Sequence, residues 1–389
     1  MKKVMVVVGT RPEAIKLVPL YIALKEAKNH TTLCATQQHQ ELLGQVLDIF
    51  NVVPDVSLNI MQEDQNLFDI TSRVLLQMQK TYKKYTPDIV IVQGDTTTAA
   101  FASIAAFYLN IPVVHVEAGL RTYNMQAPFP EEFNRRLISL IASCHCAPTQ
   151  LSVNNLISEG IDKNRIFLTG NTIVDALLYF REKIINKEIR ISLDLLNKTE
   201  EIRKRYSQLV LLTAHRRESF DGGLLKIFKG VSDFLYKHPD VYFFYPVHPN
   251  PNVIKAIEES EIKNLKNIFL MTPVDYKDLI YLLMSVDWVM TDSGGIQEEA
   301  ATLGKRVIIL REFTERSECI CEGKGMLVGT DQEKIKFSME EIYNSSKNVT
   351  NEICYLYGDG QAVPKIVSIL TRLFLQKDSK YSCKQGEVL

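Results

Sequence analysis

The stretch VMVVVGTRPEAIKL, residues 4–17, sets the reading of the whole chain. Val4–Val8 is an unbroken apolar run, the pattern of a strand buried on both faces. Gly9-Thr10-Arg11 follows at once, and Pro12, suited to a first helical turn, leads into the helical stretch Ala14–Lys28. Strand, polar turn and helix make the first part of a βαβ unit. The same order returns along the chain. Ile89–Val92 ends in Gln93-Gly94-Asp95, and Val113–Val116 ends in Glu117-Ala118-Gly119. Leu209–Thr213 ends in Ala214-His215-Arg216-Arg217, and Trp288–Thr291 in Asp292-Ser293-Gly294-Gly295. In open α/β sheets ligands bind beyond the carboxyl ends of the strands, so these polar strand ends point to one large polar site.

The spacing predicts strands at 3–8, 32–35, 88–92, 112–116, 144–147 and 165–168, with helices such as Leu67–Lys84, Thr98–Tyr108 and Glu132–Ala142 between them. A second series of strands is expected near 209–213, 241–245, 267–271, 287–291 and 306–310. Alternation of this kind indicates parallel sheets with helices on both faces. A chain of 389 residues exceeds the size at which one core stops growing, so two domains are expected. The break falls after Thr169-Gly170-Asn171-Thr172. The charged segment Phe180–Arg205 reads as a surface helix or connection, and the polar tail Lys377–Leu389 as frayed. The expected fold class is α/β, with two doubly wound domains facing each other across a cleft.

Net charge is −1, from 45 basic and 46 acidic residues, which steers the chain as a whole toward neither nucleic acid nor an anionic membrane. The apolar run after Met1-Lys2-Lys3 is too short for a secretory leader, and no run is long enough to span a bilayer, so the expected location is the cytoplasm. Seven cysteines, an odd number, indicate free thiols. The pairs Cys144/Cys146 and Cys319/Cys321 fit zinc spacing poorly and read as small buried hydrophobes, so no metal is expected. No Walker loop, G-x-S-x-G elbow or G-x-G-x-x-G fingerprint is present, and a nicotinamide cofactor is not indicated.

Each cluster has a chemical and a structural reading. The strand end at Asp292-Ser293-Gly294-Gly295 precedes a helix, where free N–H groups favour phosphate and where Glu299, one turn on, can take a ribose diol. The competing reading is a helix cap with a capping-box acid. Arg11 sits where a phosphate could meet both a guanidinium and a helix start, and Lys16 lies about one turn further; both could equally be surface residues. His215, flanked by Arg216 and Arg217, suits a leaving phosphate or a proton transfer better than a core. Asp95 and Glu117 stand at strand ends, and Glu131-Glu132 follow the Pro128-Phe129-Pro130 kink. Crowded carboxylates drive each other's pKa apart, so one can hold a proton while another accepts one. Glu131 and Glu132 could instead face a helix dipole, and Asp95 could cap Thr96–Thr98.

Taken together the strings GTRPEAIKL (9–17), QGDTTT (93–98), HVEAGLRT (115–122), PEE and NRR (130–136), HRRES (215–219), YPVH (245–248), DSGGIQEEA (292–300), TER (314–316) and YGDG (357–360) are specific. In order and over nearly the whole chain, they resemble the non-hydrolysing UDP-N-acetylglucosamine 2-epimerases of bacteria. The resemblance implies a GT-B type fold of two Rossmann-like domains. Residues 1–170, joined by a C-terminal helix at about 364–389, would carry the catalytic acids, and 171–363 would bind UDP. It implies reversible interconversion of UDP-N-acetylglucosamine and UDP-N-acetylmannosamine, without metal or redox cofactor, in a cytoplasmic homodimer that supplies N-acetylmannosamine for surface polysaccharide. By resemblance Arg11, His215, Ser293 and Gly294 hold the diphosphate, Gly295 shapes their turn, Glu299 takes the ribose and Arg316 adds a cation. Asp95, Glu117 and Glu131 share proton transfer with His215, and Lys16 orients one of the acids. Gln40, Gln45, Arg73 and His248 match segments that bind a second, activating UDP-N-acetylglucosamine in many members.

The chain departs from the family pattern at Ser317 and Tyr355-Leu356, where prolines are usual, at Leu279, where an aromatic is common, and at Phe129 in place of Trp. Three other readings remain. One is the hydrolysing relative, which releases UDP and free N-acetylmannosamine; another is a GT-B glycosyltransferase using a UDP-sugar donor; the third is a nucleotide-sugar sensor that binds without turnover, against which the full set of acids stands.

Overall fold

The computed structural model describes residues 2–36, 40–58, 60, 65–345 and 352–375. Their strands form two sheets. The first holds β1 (Lys3–Val8), β2 (His30–Ala35), β3 (Val56–Ser57), β4 (Ile89–Gln93), β5 (Val113–Val116), β6 (Cys144–Ala147) and β7 (Ile166–Leu168), in the order β3-β2-β1-β4-β5-β6-β7. The second holds β8 (Gln208–Thr213), β9 (Val241–Pro246), β10 (Ile268–Met271), β11 (Trp288–Thr291), β12 (Arg306–Ile309) and β13 (Gly325–Leu327), in the order β10-β9-β8-β11-β12-β13. Every pairing is parallel. Strand order reverses between β1 and β4 and again between β8 and β11. A crevice opens at such a reversal. The turns at Gly9, Asp95, His215 and Asp292 therefore stand at the two crevices.

The sheets are apolar because helices cover both faces. Val4–Val8 and Leu209–Leu212 are almost fully buried, and Trp288 packs edge-on against Phe234 and Phe243 while its Nε1 donates to Gln208 (2.9 Å). The expected strands are all present. Two edge strands, β3 and β13, were not expected; two and three residues are too few to show a pattern. The segment Phe180–Arg205 also differs from its expectation. It spans the end of the helix Thr172–Ile185 and all of the helix Leu193–Arg203, which bury Phe180, Leu195 and Ile202. Phe180 meets Phe50 and Tyr276 edge-on, each at 5.3 Å. Charges on the outer faces conceal this inward stripe in the sequence.

The last described helix starts at Ala362. Its first N–H groups, from Ala362 and Val363, donate to Asp175 on the helix Thr172–Ile185 (3.1 and 2.8 Å). Residues 376–389, which include the rest of the expected C-terminal helix and the tail, lie outside the described residues. No helix among the described residues is long and apolar enough to cross a membrane.

His115 on β5 faces His145 on β6, both buried, and His115 Nε2 lies 2.8 Å from Gly94 O. Burial lowers both pKa values, to about 4 for His115 and about 3 for His145. At these two positions the unfolded chain therefore binds more protons than the folded one below the ordinary value of 6.5. Their contribution to stability is complete above that pH and is lost as pH falls toward 4, by on the order of 3 kcal/mol from His115 alone. Glu299, with its pKa raised to about 7, acts in the opposite sense over the same range. Urea unfolding of the wild type beside His115→Gln between pH 7 and pH 4 is the check; a stability difference between the two that stays constant across that range would refute it.

Candidate active site

Glu117 is the centre of the site. It directly follows β5 in a left-handed conformation, φ 61°, with its carboxylate turned into protein rather than water. Lys16 Nζ is 2.5 Å from its Oε2, and Gln93, at the end of β4, donates to the same oxygen. Oε1 accepts from Asn171 Nδ2 and Arg316 Nη2, both at 3.1 Å. Burial opposes this charge, but Lys16 and Arg316 outweigh it and hold the carboxyl below its ordinary value. Lys16 is thus no surface lysine.

The turn after β1 explains why Arg11 and Lys16 are so placed. A Cβ on Gly9 would lie 2.6 Å from Thr98 Oγ1 and 2.7 Å from Thr36 Oγ1, so only glycine fits. Glu13 Oε2 accepts from the N–H groups of Gly9 and Thr10 (2.9 and 2.7 Å), while its Oε1 accepts from Thr96 (2.7 Å). That acid ties the Arg11 turn to the Asp95 turn. Arg11 itself reaches across to the other half, donating to Val274 O at 3.3 Å.

Asp95 is bound by Arg135, and its backbone oxygen accepts from Asn134 (2.9 Å), both from the helix Glu131–Ile141. The adjacent acids on that helix have separate roles. Glu132 is fully buried and accepts from the backbone of Thr122 and Tyr123 (3.0 and 3.1 Å), so it holds a loop. Glu131 Oε2 is buried with no hydrogen-bond partner among the described residues. Burial and then Asp95 raise its pKa, against Arg216 and Arg135. The two acids are thus shifted in opposite directions, Glu131 up and Glu117 down.

His215 and Arg216 follow β8, and their N–H groups both donate to Asp292 Oδ2 (2.5 and 2.7 Å). The His215 ring is about one third exposed and stacks on His248, centroids 5.1 Å apart. Arg311 steadies this loop through Glu218 (2.9 Å). Ser293 caps the helix Gly294–Thr302 without a side-chain capping bond, which leaves that helix start free for an anion. At Gly294 a Cβ would strike the Arg316 guanidinium, so a larger residue would displace that cation from its acids. At Gly295 φ is not positive and a Cβ would meet nothing within 4 Å, so there is open space beside the helix start.

Arg316 joins Glu298 (Nε, 2.8 Å), Glu117 and Glu315. Glu299 accepts from the Tyr276 hydroxyl (2.7 Å), and burial raises its pKa to about 7. Arg11 is electrostatically coupled to Glu299. All the residues expected to act on the diphosphate, ribose or protons thus border one region between the sheets. The activator candidates do not all join them. His248 does, through His215, whereas Gln45 is exposed on the helix Gln40–Ile49 and Arg73 bonds Ile60 O and Gln65 (3.3 and 3.4 Å). The Gln40 side chain lies outside the described residues. Asn171, Asp292 and Glu298 have places in this network that the sequence reading did not assign. The acids Asp292 and Glu298 are in a motif it quoted, yet their partners are distant in sequence.

Two Rossmann-like sheets with switch points facing a shared polar region define the GT-B class of α/β proteins. Within that class the family model for UDP-N-acetylglucosamine 2-epimerase matches residues 22–371, and the chain belongs to that family. A Campylobacter jejuni UDP-N-acetylglucosamine 2-epimerase is 43% identical over 377 residues, 95% of this chain and 98% of the relative. The crystal structure of the Neisseria meningitidis UDP-GlcNAc 2-epimerase bound to UDP-GlcNAc is 40% identical, with TM-score 0.88, and spans 95% of this chain and all of that one. A Staphylococcus aureus structure with UDP is 35% identical, with TM-score 0.88, and spans 98% of this chain and 100% of its own.

Proposed function

We propose that this chain is a non-hydrolysing epimerase, which interconverts UDP-N-acetylglucosamine and UDP-N-acetylmannosamine and keeps UDP throughout. The C-2 proton of the sugar has no adjacent carbonyl to acidify it. Cleavage of the anomeric C–O bond with that proton's loss yields UDP and 2-acetamidoglucal. Return of a proton to the opposite face of C-2, with readdition of UDP at C-1, completes inversion. One observation carries the reading: two carboxylates of the same site, Glu117 and Glu131, are pushed in opposite pKa directions. Such a pair supplies a base and an acid at one pH. Asp95 shares the proton work, Lys16 orients Glu117, and His215 meets the leaving phosphate.

The free start of helix Gly294–Thr302, with Arg11, Ser293, Gly294 and Arg316, would retain the diphosphate between the two steps. In this reading residues 1–170 and the C-terminal helix carry the acids, and 171–363 bind UDP. His248 and Arg73, with Gln40 and Gln45, are kept as the site for a second, activating UDP-sugar. The product would feed surface polysaccharide synthesis in the cytoplasm. A homodimer is supported by exposed apolar residues on successive helices: Phe68, Leu76, Phe107, Tyr108 and Leu140.

Proton NMR with UDP-N-acetylglucosamine in heavy water tests the reading. Deuterium at C-2 of a UDP-linked N-acetylmannosamine is the expected result. Free UDP with free N-acetylmannosamine would replace it by the hydrolysing reaction, and an unchanged spectrum would overturn both. Glu299→Ala is expected to weaken UDP binding about tenfold or more while kcat changes little, because a ribose contact is made alike in ground and transition states. Unchanged UDP affinity by calorimetry would remove Glu299 from the ribose.

A further inference from the structure

The chain passes between its two halves at two places, and these crossings touch. After β7, Gly170 (φ 85°) meets Gly358 (φ 128°); a Cβ on either would lie 3.0–3.1 Å from the other's Cα. The next residue, Asn171, donates its N–H to Tyr357 O at 2.7 Å. Its backbone position is therefore set by the crossing itself.

The Asn171 side chain is buried and has two jobs. Its oxygen caps the helix Thr172–Ile185, accepting from Ile173 N (3.2 Å). Its NH₂ group donates to Glu117 Oε1 (3.1 Å) and to both oxygens of Glu298 (3.0 Å each). Glu117 belongs to the first sheet's strand ends, while Glu298 lies in the helix after β11 of the second. One amide thus joins a carboxylate from each half at the point where the halves are connected. Arg316 spans the same two acids from the other side. The polar and charged groups facing Glu117 are then Lys16, Gln93, Asn171, Arg316 and, through the shared donors, Glu298.

We propose that Asn171 is a positioning residue, which fixes the aim and charge of Glu117 to the register of the two halves. Glu298 is its anchor on the second half. The inference rests on the role given to Glu117 above. Asn171 need touch no substrate. It holds the base in line only while the crossing is in the arrangement seen here, so that misalignment of the halves also misaligns the base.

Two substitutions test this and both keep the helix cap, since Ser and Asp are good N-cap residues. Asn171→Ser removes the donor. Asn171→Asp replaces it with a further acceptor beside Glu117. Loss of a hydrogen bond to the charged form, or addition of a like charge, raises a carboxyl pKa. The acid limb of the kcat/KM profile is expected to move to higher pH in both variants, further for Asp, by about one unit or more. At neutral pH kcat is expected to fall about 10²-fold, with KM and UDP affinity within about threefold. A purely structural role would lower melting temperature or nucleotide affinity and leave the limb in place, and that result in either folded variant would overturn the proposal. If Glu117→Gln itself retained turnover, the reading of Glu117 would fail first. If Glu117→Gln were dead while both Asn171 variants kept wild-type kcat and pH profile, only this inference would fail.

Discussion

Glu117→Gln is expected to reduce epimerisation by about 10³-fold or more while UDP affinity stays within about threefold. The amide keeps the shape of the carboxylate but cannot take the C-2 proton. The carboxylate's partners are all protein donors, Lys16, Gln93, Asn171 and Arg316, so the contacts that the amide NH₂ gives up are to protein groups. The loss should therefore fall on kcat, and deuterium exchange at C-2 should stop with it. Calorimetric titration with UDP separates the outcomes. A large loss of UDP affinity with residual turnover would make Glu117 a binding group and transfer the proton work to Asp95 and Glu131.

Arg316→Ala is expected to cost the most stability of any substitution in the site. Its guanidinium meets Glu117, Glu298 and Glu315, all buried. Glu315 keeps Arg311 (3.1 Å), and burial of its charge is overcome by Arg316 first and Arg311 next. Removal of Arg316 leaves Glu298 with Asn171 alone among these donors, and breaking a buried ion pair from one side typically costs 3–5 kcal/mol. A fall in Tm on the order of 10 °C is expected from that loss. UDP affinity should drop at least about tenfold as well, since the cation beside the helix start proposed to hold the diphosphate is gone. Arg316→Lys should recover little, because one ammonium cannot reproduce the planar fork that serves three acids. A wild-type Tm in Arg316→Ala would show that the acid cluster is held by other means.

Much of the fold was legible because each central strand is a short, unbroken apolar run between polar turns. Val4–Val8, Leu209–Thr213 and Trp288–Thr291 are such runs, and their ends carry the site. Edge strands such as β3 and β13 are too brief to leave a pattern. The acids of the site were legible as residue types at strand ends, but not their partners. Asn171 lies 54 positions from Glu117 and 127 from Glu298, and no local spacing joins them. The division of labour between neighbouring Glu131 and Glu132 was also hidden. Both begin a helix, and only the loop at Thr122 and Tyr123 shows that Glu132 is structural. Gly295 looked like its neighbour Gly294, yet only Gly294 lies under Arg316.

The contact of Gly170 with Gly358 has a mechanical meaning. When one half swings relative to the other about that contact, each atom travels in proportion to its distance from it. Asn171, bonded at the contact, sits close to the pivot. Arg11 and Val274, which meet from opposite halves, are not tied to it in this way. A small swing about an intact contact would part Arg11 from Val274 before it disturbed Asn171 and the acids it joins, whereas a slip of the contact itself would displace them. A pivot at that place would leave the buried array of charges around Glu117 and Glu298 intact during a swing.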